Sequence, residues 1–208
     1  MKIDHIVIVT HDLDEGARAV RDVLGVRPEG GGKHPLMGTH NRLLSLGPDC
    51  YLEVIAIDPE ADDPGRPRWF GMDGFGGPPR LMNWAARARD MSRALGEAPM
   101  GMGELTELSR GDLKWRMAIP PNGRLPYDNV LPMLLQWQGK SAAETLPESG
   151  LTLQRLVLTH PEMARIRAEW PRLVETDRLA MEEGAVPGIA AEIVTSDGLK
   201  TLQGVIEG

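Results

Sequence analysis

The sequence has little cysteine and no long apolar run, and each absence excludes a class of protein. Of its 208 residues only Cys50 is a cysteine, so no disulfide can form within the chain. The opening "MKIDHIVIVT" lacks the apolar stretch of a signal peptide, and we expect a cytoplasmic protein. The longest uncharged run, "NVLPMLLQWQG", is well short of the ~20 apolar residues that a membrane span requires. No membrane partner is therefore expected.

Basic residues are also too few for a surface that binds polyanions. The chain carries 23 Lys and Arg against 30 Asp and Glu, a formal net charge of −7, and its arginines are scattered along the sequence. Nucleic acid is therefore not an expected partner. Aromatic residues make up only 4% of the chain, but five of them are tryptophans. The length fits one domain, or two small ones, with a substantial core.

What is present is a recurring pattern of one strand, one helix and three strands. In residues 1–58 the alternating "KIDHIVIV" predicts a strand, which is followed by an amphipathic helix with Asp12 as N-cap and Gly25 as its stop. Three further strands complete the unit, and the last two are "THNRLLSLG" and "CYLEVIAID". The same order returns in residues 80–138 and again in residues 151–208. The sequence therefore predicts three βαβββ units.

Two polar segments separate these units. Residues 59–79 are dense in Pro, Gly and Asp, and residues 138–150 are polar without periodicity, so both are expected to cross the surface. The first segment contains "RPRWFGMD". Its Trp69 and Phe70 are either a plain hydrophobic anchor or part of a segment that folds back on the body to cover something.

Several stretches, in chain order, carry a resemblance to a known fold: "DHIVIVTHDLDEG", "GTHNRLLSLG" directly before "YLEVIAIDP", then "RPRWFGMD" and "LPMLLQW". With the repeated units, they resemble the vicinal oxygen chelate superfamily, and most closely its glyoxalase-like domain branch. The resemblance implies an α+β fold in which two units, within residues 1–138, form a cup-shaped mixed sheet of eight strands with helices outside. It implies no role for the third unit. Related folds often dimerise, so a homodimer is expected.

The resemblance further implies a site inside the cup, on the first and last strands of each unit. In the first unit these strands offer His5 and Glu53, and a neighbouring strand begins near His40. Two histidines and one carboxylate suit a divalent ion such as Fe, Mn, Ni or Zn, with open positions for a substrate. The expected metal ligands are thus His5, His40 and Glu53, and the expected catalytic residues are His40 and Glu53.

The second unit offers fewer ligand-type residues. Alignment of its helix with the first helix places Asn83 at the position of the first unit's strand histidine, and its last strand offers Gln136 in place of an acid. Arg87 shares the strand face of Asn83, and Trp137 adds a flat apolar wall. The expected contacts with a small-molecule substrate are Asn41, Asn83, Arg87, Gln136 and Trp137.

Two functions remain open on these residues. The first is a metal-dependent isomerase, lyase or dioxygenase that acts on a small oxygenated substrate. The second is a metal-free protein that binds or sequesters a small molecule, in which His5 and Glu53 hydrogen-bond each other and His40 caps the preceding loop. Side chains that touch each other indicate a buried pair, whereas side chains that converge on a shared vacant point indicate a site for an ion.

Overall fold

The computed structural model describes residues 1–173 and 177–206, which form strands, α-helices and short 3-10 helices. The strands, numbered along the chain, are β1 (Lys2–Val9), β2 (Glu29–His34), β3 (Thr39–Ser45), β4 (Tyr51–Ile57), β5 (Arg80–Arg87), β6 (Glu104–Arg110), β7 (Leu113–Ile119), β8 (Met133–Trp137), β9 (Thr152–His160), β10 (Leu179–Glu183), β11 (Gly188–Thr195) and β12 (Gly198–Gln203). The α-helices are α1 (Leu13–Leu24), α2 (Met91–Glu97) and α3 (Met163–Glu169). The 3-10 helices are Pro35–Met37, Trp69–Gly74 and Ala143–Thr145.

Helix α1 begins and ends where the sequence predicts. The Asp12 side chain accepts a hydrogen bond from the backbone nitrogen of Glu15 at 2.8 Å, which satisfies one of the free donors of the first turn. Gly25 ends the helix with a φ of 79°, a conformation that glycine adopts at low cost. At Gly16 the helix lies so close to β4 that an added Cβ would be 2.6 Å from a methyl carbon of Val54. The helix therefore covers the outer face of the sheet.

Eight strands form one curled sheet in the order β2-β3-β4-β1-β5-β8-β7-β6. Within each half the first strand pairs in parallel with the last one, β1 with β4 and β5 with β8. The two halves join through the antiparallel pair of β1 and β5. The edge strands β2 and β6 approach each other, so the sheet curls into a cup with the helices outside. The predicted α+β fold class is confirmed.

The last segment forms a separate sheet of four strands in the order β10-β9-β11-β12. Its elements follow the same order along the chain as in the first two units. Its pairing differs from that of the first two units, because β9 pairs in parallel with the strand that follows its helix rather than with the last strand. In the cup, the first strand of each half pairs with the first strand of the other half, β1 with β5. In the described residues β9 has no first strand of another unit beside it, and it pairs with β10 and β11. Positions 174–176 and 207–208 lie outside the described residues.

The four-stranded sheet packs on the cup and shares its apolar core. The backbone nitrogen of Leu153 donates to the carbonyl of Leu46 at 3.2 Å, and that of Ile206 donates to the carbonyl of Pro79 at 2.7 Å. The first bond joins β9 to the turn after β3, and the second joins the end of the described chain to the start of β5. Over residues 1–173 and 177–206, no helix combines the length and the apolar character needed to cross a membrane.

Candidate functional site

A cavity lies inside the cup, between the two halves of the curled sheet. Its polar lining consists of His5, His34, Tyr51, Glu53 and Arg110. Its apolar lining consists of Trp69, Phe70, Trp115, Met117, Leu135 and Trp137. The cleft has an empty volume of about 380 Å³, which includes open solvent at its mouth. The centre of a water molecule can occupy only about 20 Å³ of it. In this arrangement the cavity has room for about one water.

Asp4 holds His5 through an irregularity in β1. The pairing of β1 with β5 shifts by one residue between Ile3 and His5, which takes Asp4 out of the regular alternation of faces. The Asp4 side chain is 1% exposed; its Oδ1 atom lies 2.8 Å from His5 Nδ1, and its Oδ2 atom accepts from Trp137 Nε1 at 2.9 Å. Arg87 Nε lies 3.5 Å from the same Oδ2 atom. These contacts stabilise a buried carboxylate and orient the imidazole of His5.

Glu53 faces the cavity from β4 and contacts both His5 and Asn41. Its Oε2 atom lies 3.5 Å from His5 Nε2, and its Oε1 atom accepts from Asn41 Nδ2 at 2.5 Å. Asn41 Oδ1 accepts from the backbone nitrogen of Gly32 at 2.9 Å, which fixes the orientation of the amide. Gly31, with a φ of 90°, permits this close approach, since an added Cβ would collide with the backbone oxygen of Asn41. The glycines of β2 therefore let this edge strand sit directly beside Asn41.

His34 extends the polar chain towards the rim of the cup. Burial lowers the pKa of His34 to about 4; the Glu53 carboxylate raises it and the Arg110 guanidinium lowers it further. The imidazole is therefore neutral near pH 7. Its Nε2 atom lies 3.4 Å from the Asn41 amide nitrogen, which is a donor, and its Nδ1 atom lies 3.1 Å from the Thr39 hydroxyl oxygen. This assigns the ring proton to Nδ1, which donates to Thr39.

Tyr51 packs against the central histidine. Its ring stacks on the imidazole of His5, with the ring centroids 4.5 Å apart and an angle of 23° between the planes. Burial raises the pKa of Tyr51 well above its ordinary value, and the nearby carboxylates of Asp4 and Glu53 raise it further. The phenol is therefore protonated at physiological pH, and its hydroxyl can donate a hydrogen bond.

Aromatic rings form the apolar wall and the cover of the cavity. Trp115 and Trp137 contact each other with centroids 5.4 Å apart, and the edge of Trp69 meets His34 at 5.2 Å. Trp69 and Phe70 are both 3% exposed, so of the two interpretations of this segment the covering one describes where they lie. Phe70 has a φ of 60°, a conformation that is strained for an aromatic residue. Packing of these rings and a backbone hydrogen bond of 2.9 Å from the Gly71 nitrogen to the Gly123 carbonyl hold the cover in place.

The structure does not bring His40 together with His5 and Glu53. Side chains alternate along β3, so Asn41 faces the cup and the half-buried His40 faces away, towards Asp58. Within the described residues, no three or more His, Cys, Asp and Glu side chains form a group that could hold a metal ion. The expected ligand set of His5, His40 and Glu53 is therefore corrected. The residues in the cup do not fit a three-ligand divalent site.

Of the five expected substrate contacts only Trp137 lines the cavity; Asn41 lies behind Glu53, and three others lie farther away. Asn83 is fully buried and donates through Nδ2 to the carbonyls of Asn129 at 2.7 Å and Leu131 at 3.2 Å, so it anchors the loop before β8. Gln136 alternates with Trp137 on β8, faces the outer groove, and donates to the carbonyl of Arg89. Arg87 lies in the same outer groove, where it supports the Asp4 carboxylate.

The expected residues that meet at the cavity are His5, Glu53 and Trp137, with Asn41 behind them. Sequence reasoning missed Asp4, His34, Tyr51, Arg110 and Trp115. An acid next to a histidine in an apolar strand is a signal that could have identified Asp4. Tyr51 could have been identified as well, because it lies two residues before Glu53 and therefore on the same strand face. His34, Arg110 and Trp115 reach the cavity only because the sheet curls, and no local pattern indicates this.

One comparison with known proteins identifies a family. Residues 3–174 match the family described as "Glyoxalase-like domain". A search of the curated proteins finds no match.

Several solved structures are similar to this chain. A variant of Streptomyces coelicolor methylmalonyl-CoA epimerase in complex with 2-nitronate-propionyl-CoA is 18% identical, with a TM-score of 0.43 over 71% of this chain and 99% of that one. Methylmalonyl-CoA epimerase from Mycobacterium tuberculosis is 16% identical, with a TM-score of 0.42 over 65% and 86%. A 4-hydroxymandelate synthase mutant from Streptomyces coelicolor is 14% identical, with a TM-score of 0.46 over 97% and 62%. At this level of similarity the matches carry no information on ligand or reaction.

Proposed function

Because the chain belongs to the glyoxalase-like domain family, we propose that its cup binds a small molecule through hydrogen bonds rather than through a chelated divalent ion. The observation that carries the proposal is that His5 and Glu53 lack a third metal ligand. His5 Nε2 and Glu53 Oε2 lie 3.5 Å apart, and no further His, Cys, Asp or Glu of the described residues joins them in a group that could hold an ion. The pair therefore offers its open side to a ligand that binds through hydrogen bonds.

The donor set supports the same proposal. A divalent site needs at least three protein ligands, each with a free donor atom. In this cup only His5 and Glu53 face each other, and one oxygen of Glu53 already accepts a 2.5 Å hydrogen bond from Asn41. His40, which would complete a set with two histidines and one carboxylate, lies on the other face of its strand.

Metal content tests this proposal. The protein is purified without chelators or a His-tag, and its transition metals are measured by elemental analysis before and after incubation with Fe(II), Mn(II), Ni(II) and Zn(II). We expect no near-stoichiometric metal and no rise in the unfolding temperature, because an ion that binds only the folded chain would stabilise it. Near-stoichiometric metal that is lost in a His5→Ala/Glu53→Ala variant would overturn the proposal. A His40→Ala variant is the matched control for adventitious binding by a surface histidine.

A second candidate is a metal-independent proton-transfer enzyme, with His5 and Glu53 as the exchanging groups. The Asp4 carboxylate, 2.8 Å from His5 Nδ1, favours it because such a partner orients an imidazole for acid–base catalysis. Nuclear magnetic resonance in D₂O checks it by measuring exchange of the α-hydrogen of mandelate. Exchange in the wild type that is abolished in Glu53→Gln supports catalysis. If the wild type shows no exchange at saturating mandelate, binding remains the proposed function.

We also expect a cytoplasmic homodimer. Light scattering during size-exclusion chromatography tests the oligomeric state, since a dimer has twice the 22.8 kDa mass of one chain. Cell fractionation tests the location.

A further inference from the structure

The cup contains hydrogen-bond donors that have no partner. The indole nitrogens of Trp69 and Trp115 are buried without a hydrogen bond, although both side chains line the cavity. Within residues 1–173 and 177–206, the Tyr51 hydroxyl and the Arg110 guanidinium, which line the same cavity, also make no hydrogen bond or ion pair. Buried donors without partners are costly and rare, so the two buried indole nitrogens, together with the Tyr51 hydroxyl and the part-buried Arg110 guanidinium, point to a missing acceptor.

Most carboxylate oxygens of the cup already have partners. Both oxygens of Asp4 are paired, with His5 and Trp137, and Glu53 Oε1 accepts from Asn41, whereas Glu53 Oε2 has only a 3.5 Å contact with His5. The polar side chains of the cavity that lack any partner can therefore all donate, and one of them carries a permanent positive charge. An oxygen-bearing anion matches this imbalance, whereas a cation or an amine does not.

Arg110 reaches the cavity through a gap made by the glycines of β2. A Cβ built at Gly32 would lie 3.0 Å from the Cγ and Cδ atoms of Arg110, so the arginine stem crosses directly over that glycine. This crossing occurs where the edge strands β2 and β6 meet. Arg110 therefore stands at the rim, on the opposite side of the cup from the joint between β1 and β5, where Asp4 lies. A ligand can place its anionic end at the rim and keep it apart from the buried carboxylates.

We propose that the ligand of this cup is a small carboxylate, held at the rim by the Arg110 guanidinium and by the indole N–H groups of Trp69 and Trp115. The proposal rests on the proposed function of small-molecule binding and names the chemical class of the molecule. A guanidinium matches both oxygens of a carboxylate in one plane, and the indoles supply two further donors. The apolar body of the ligand then lies against Phe70 and Trp137, and its other end faces His5.

Ligand entry requires the cover to move. The cavity has room for about one water when the Trp69–Gly74 turn lies over it. A carboxylate with an apolar body is larger than this, so binding displaces the turn or draws it into a new position. The indole of Trp69 belongs to that turn, and its resonance therefore reports both the hydrogen bond and the movement.

Indole N–H resonances in ¹⁵N–¹H spectra of the full chain test the proposal directly. The probes are acetate, lactate, benzoate and mandelate, each compared with its neutral amide, and the Trp69 and Trp115 signals are assigned with Trp→Phe variants. We expect at least one acid to shift both signals in a saturable manner. We expect its amide to bind at least about tenfold more weakly, because the amide carries no charge for the guanidinium.

Two arginine variants complete the experiment. Arg110→Gln should weaken binding of that acid by about tenfold or more, whereas Arg116→Gln should leave it unchanged, since Arg116 lies on the outer face of β7 and pairs with Glu107 at 3.4 Å. Unchanged spectra of the free variants elsewhere in the chain verify that they fold. The proposal is overturned if no acid shifts both indole signals, or if Arg110→Gln binds as tightly as the wild type. Equal binding of acid and amide overturns the carboxylate proposal but leaves the proposed function of small-molecule binding intact. Stoichiometric bound metal would overturn that proposed function, independently of the arginine variants.

Discussion

The two halves of the cup have the same strand order but contribute different chemistry. In the first half, β1 and β4 present His5 and Glu53 to the cavity. In the second half, Asn83 occupies the position that corresponds to His5, but its side chain is turned to the loop before β8. The counterpart of Glu53 is Met133, because Met133 pairs with Ala85 in the same register in which Glu53 pairs with Val7. The second half lines the cavity with Arg110, Trp115, Met117, Leu135 and Trp137.

This difference teaches that a repeated backbone need not repeat its site. The first half supplies a chain of hydrogen-bonded polar groups, and the second half supplies flat apolar walls and the single guanidinium. One cavity is therefore built from two unlike surfaces, in which the carboxylates belong to the first half, and the Arg110 guanidinium and the Trp115 indole belong to the second. The following substitutions test whether the halves are as different as the contacts indicate.

The largest effect is expected at the bond that joins the halves. Asp4→Ala leaves the donors of His5 and Trp137 without their buried acceptor, so we expect the free energy of unfolding to fall by about 4 kcal/mol. Urea unfolding followed by tryptophan fluorescence measures it. A loss below about 1 kcal/mol would show that the carboxylate is not what couples the two halves.

The free energy of unfolding is expected to depend on pH through His34, which belongs to the first half. The pKa of His34 falls from 6.5 to about 4 on burial, so below pH 6.5 the unfolded chain takes up a proton that the folded chain refuses. Stability is therefore complete above pH 6.5 and falls as the pH drops towards 4, by about 3 kcal/mol in total. Unfolding free energies across this range should decline less steeply in His34→Gln than in the wild type. Parallel curves would refute the assignment to His34.

A smaller loss is expected in the second half. Asn83→Ala removes hydrogen bonds to two loop carbonyls and leaves a small void, which should lower the free energy of unfolding by about 2 kcal/mol. Binding of carboxylate probes to the cup should be unchanged, because Asn83 does not line the cavity. Weaker binding with unchanged stability would return Asn83 to the ligand site and restore the symmetry of the halves.

The smallest effect is expected at His40. Its half-buried side chain faces away from the cup, so His40→Ala should change the free energy of unfolding by no more than about 0.5 kcal/mol. Chemical denaturation and the indole titration provide the measurements. Loss of a bound metal or of ligand affinity in this variant would reinstate the three-ligand set.

Local sequence patterns predicted most of the fold because local physics specifies it. Alternation identifies β1 and β4, and the cap at Asp12 and the stop at Gly25 delimit α1. The pairing of the last sheet could not be predicted in this way, since the neighbour of β9 depends on which strand edges remain free after the cup has formed.

The site was predicted only in part, for a related reason. His5 and Glu53 were found because they interrupt apolar strands. Asp4 was missed because the shift between β1 and β5 alters the phase of the alternation, and such a shift leaves no mark in the sequence. Gln136 and Trp137 were both expected at the ligand, although neighbours on a strand face opposite sides. Arg110 depends on the meeting of two distant edge strands.

The hydrogen bond from Trp137 to Asp4 spans 133 positions of the chain. During synthesis, β1 leaves the ribosome before β8, and its carboxylate has no indole partner until β8 has followed. The cavity therefore forms only after the second half has emerged, and a nascent chain that stops before residue 137 lacks both the joint and the far wall. Ligand binding then marks the completion of the cup during translation.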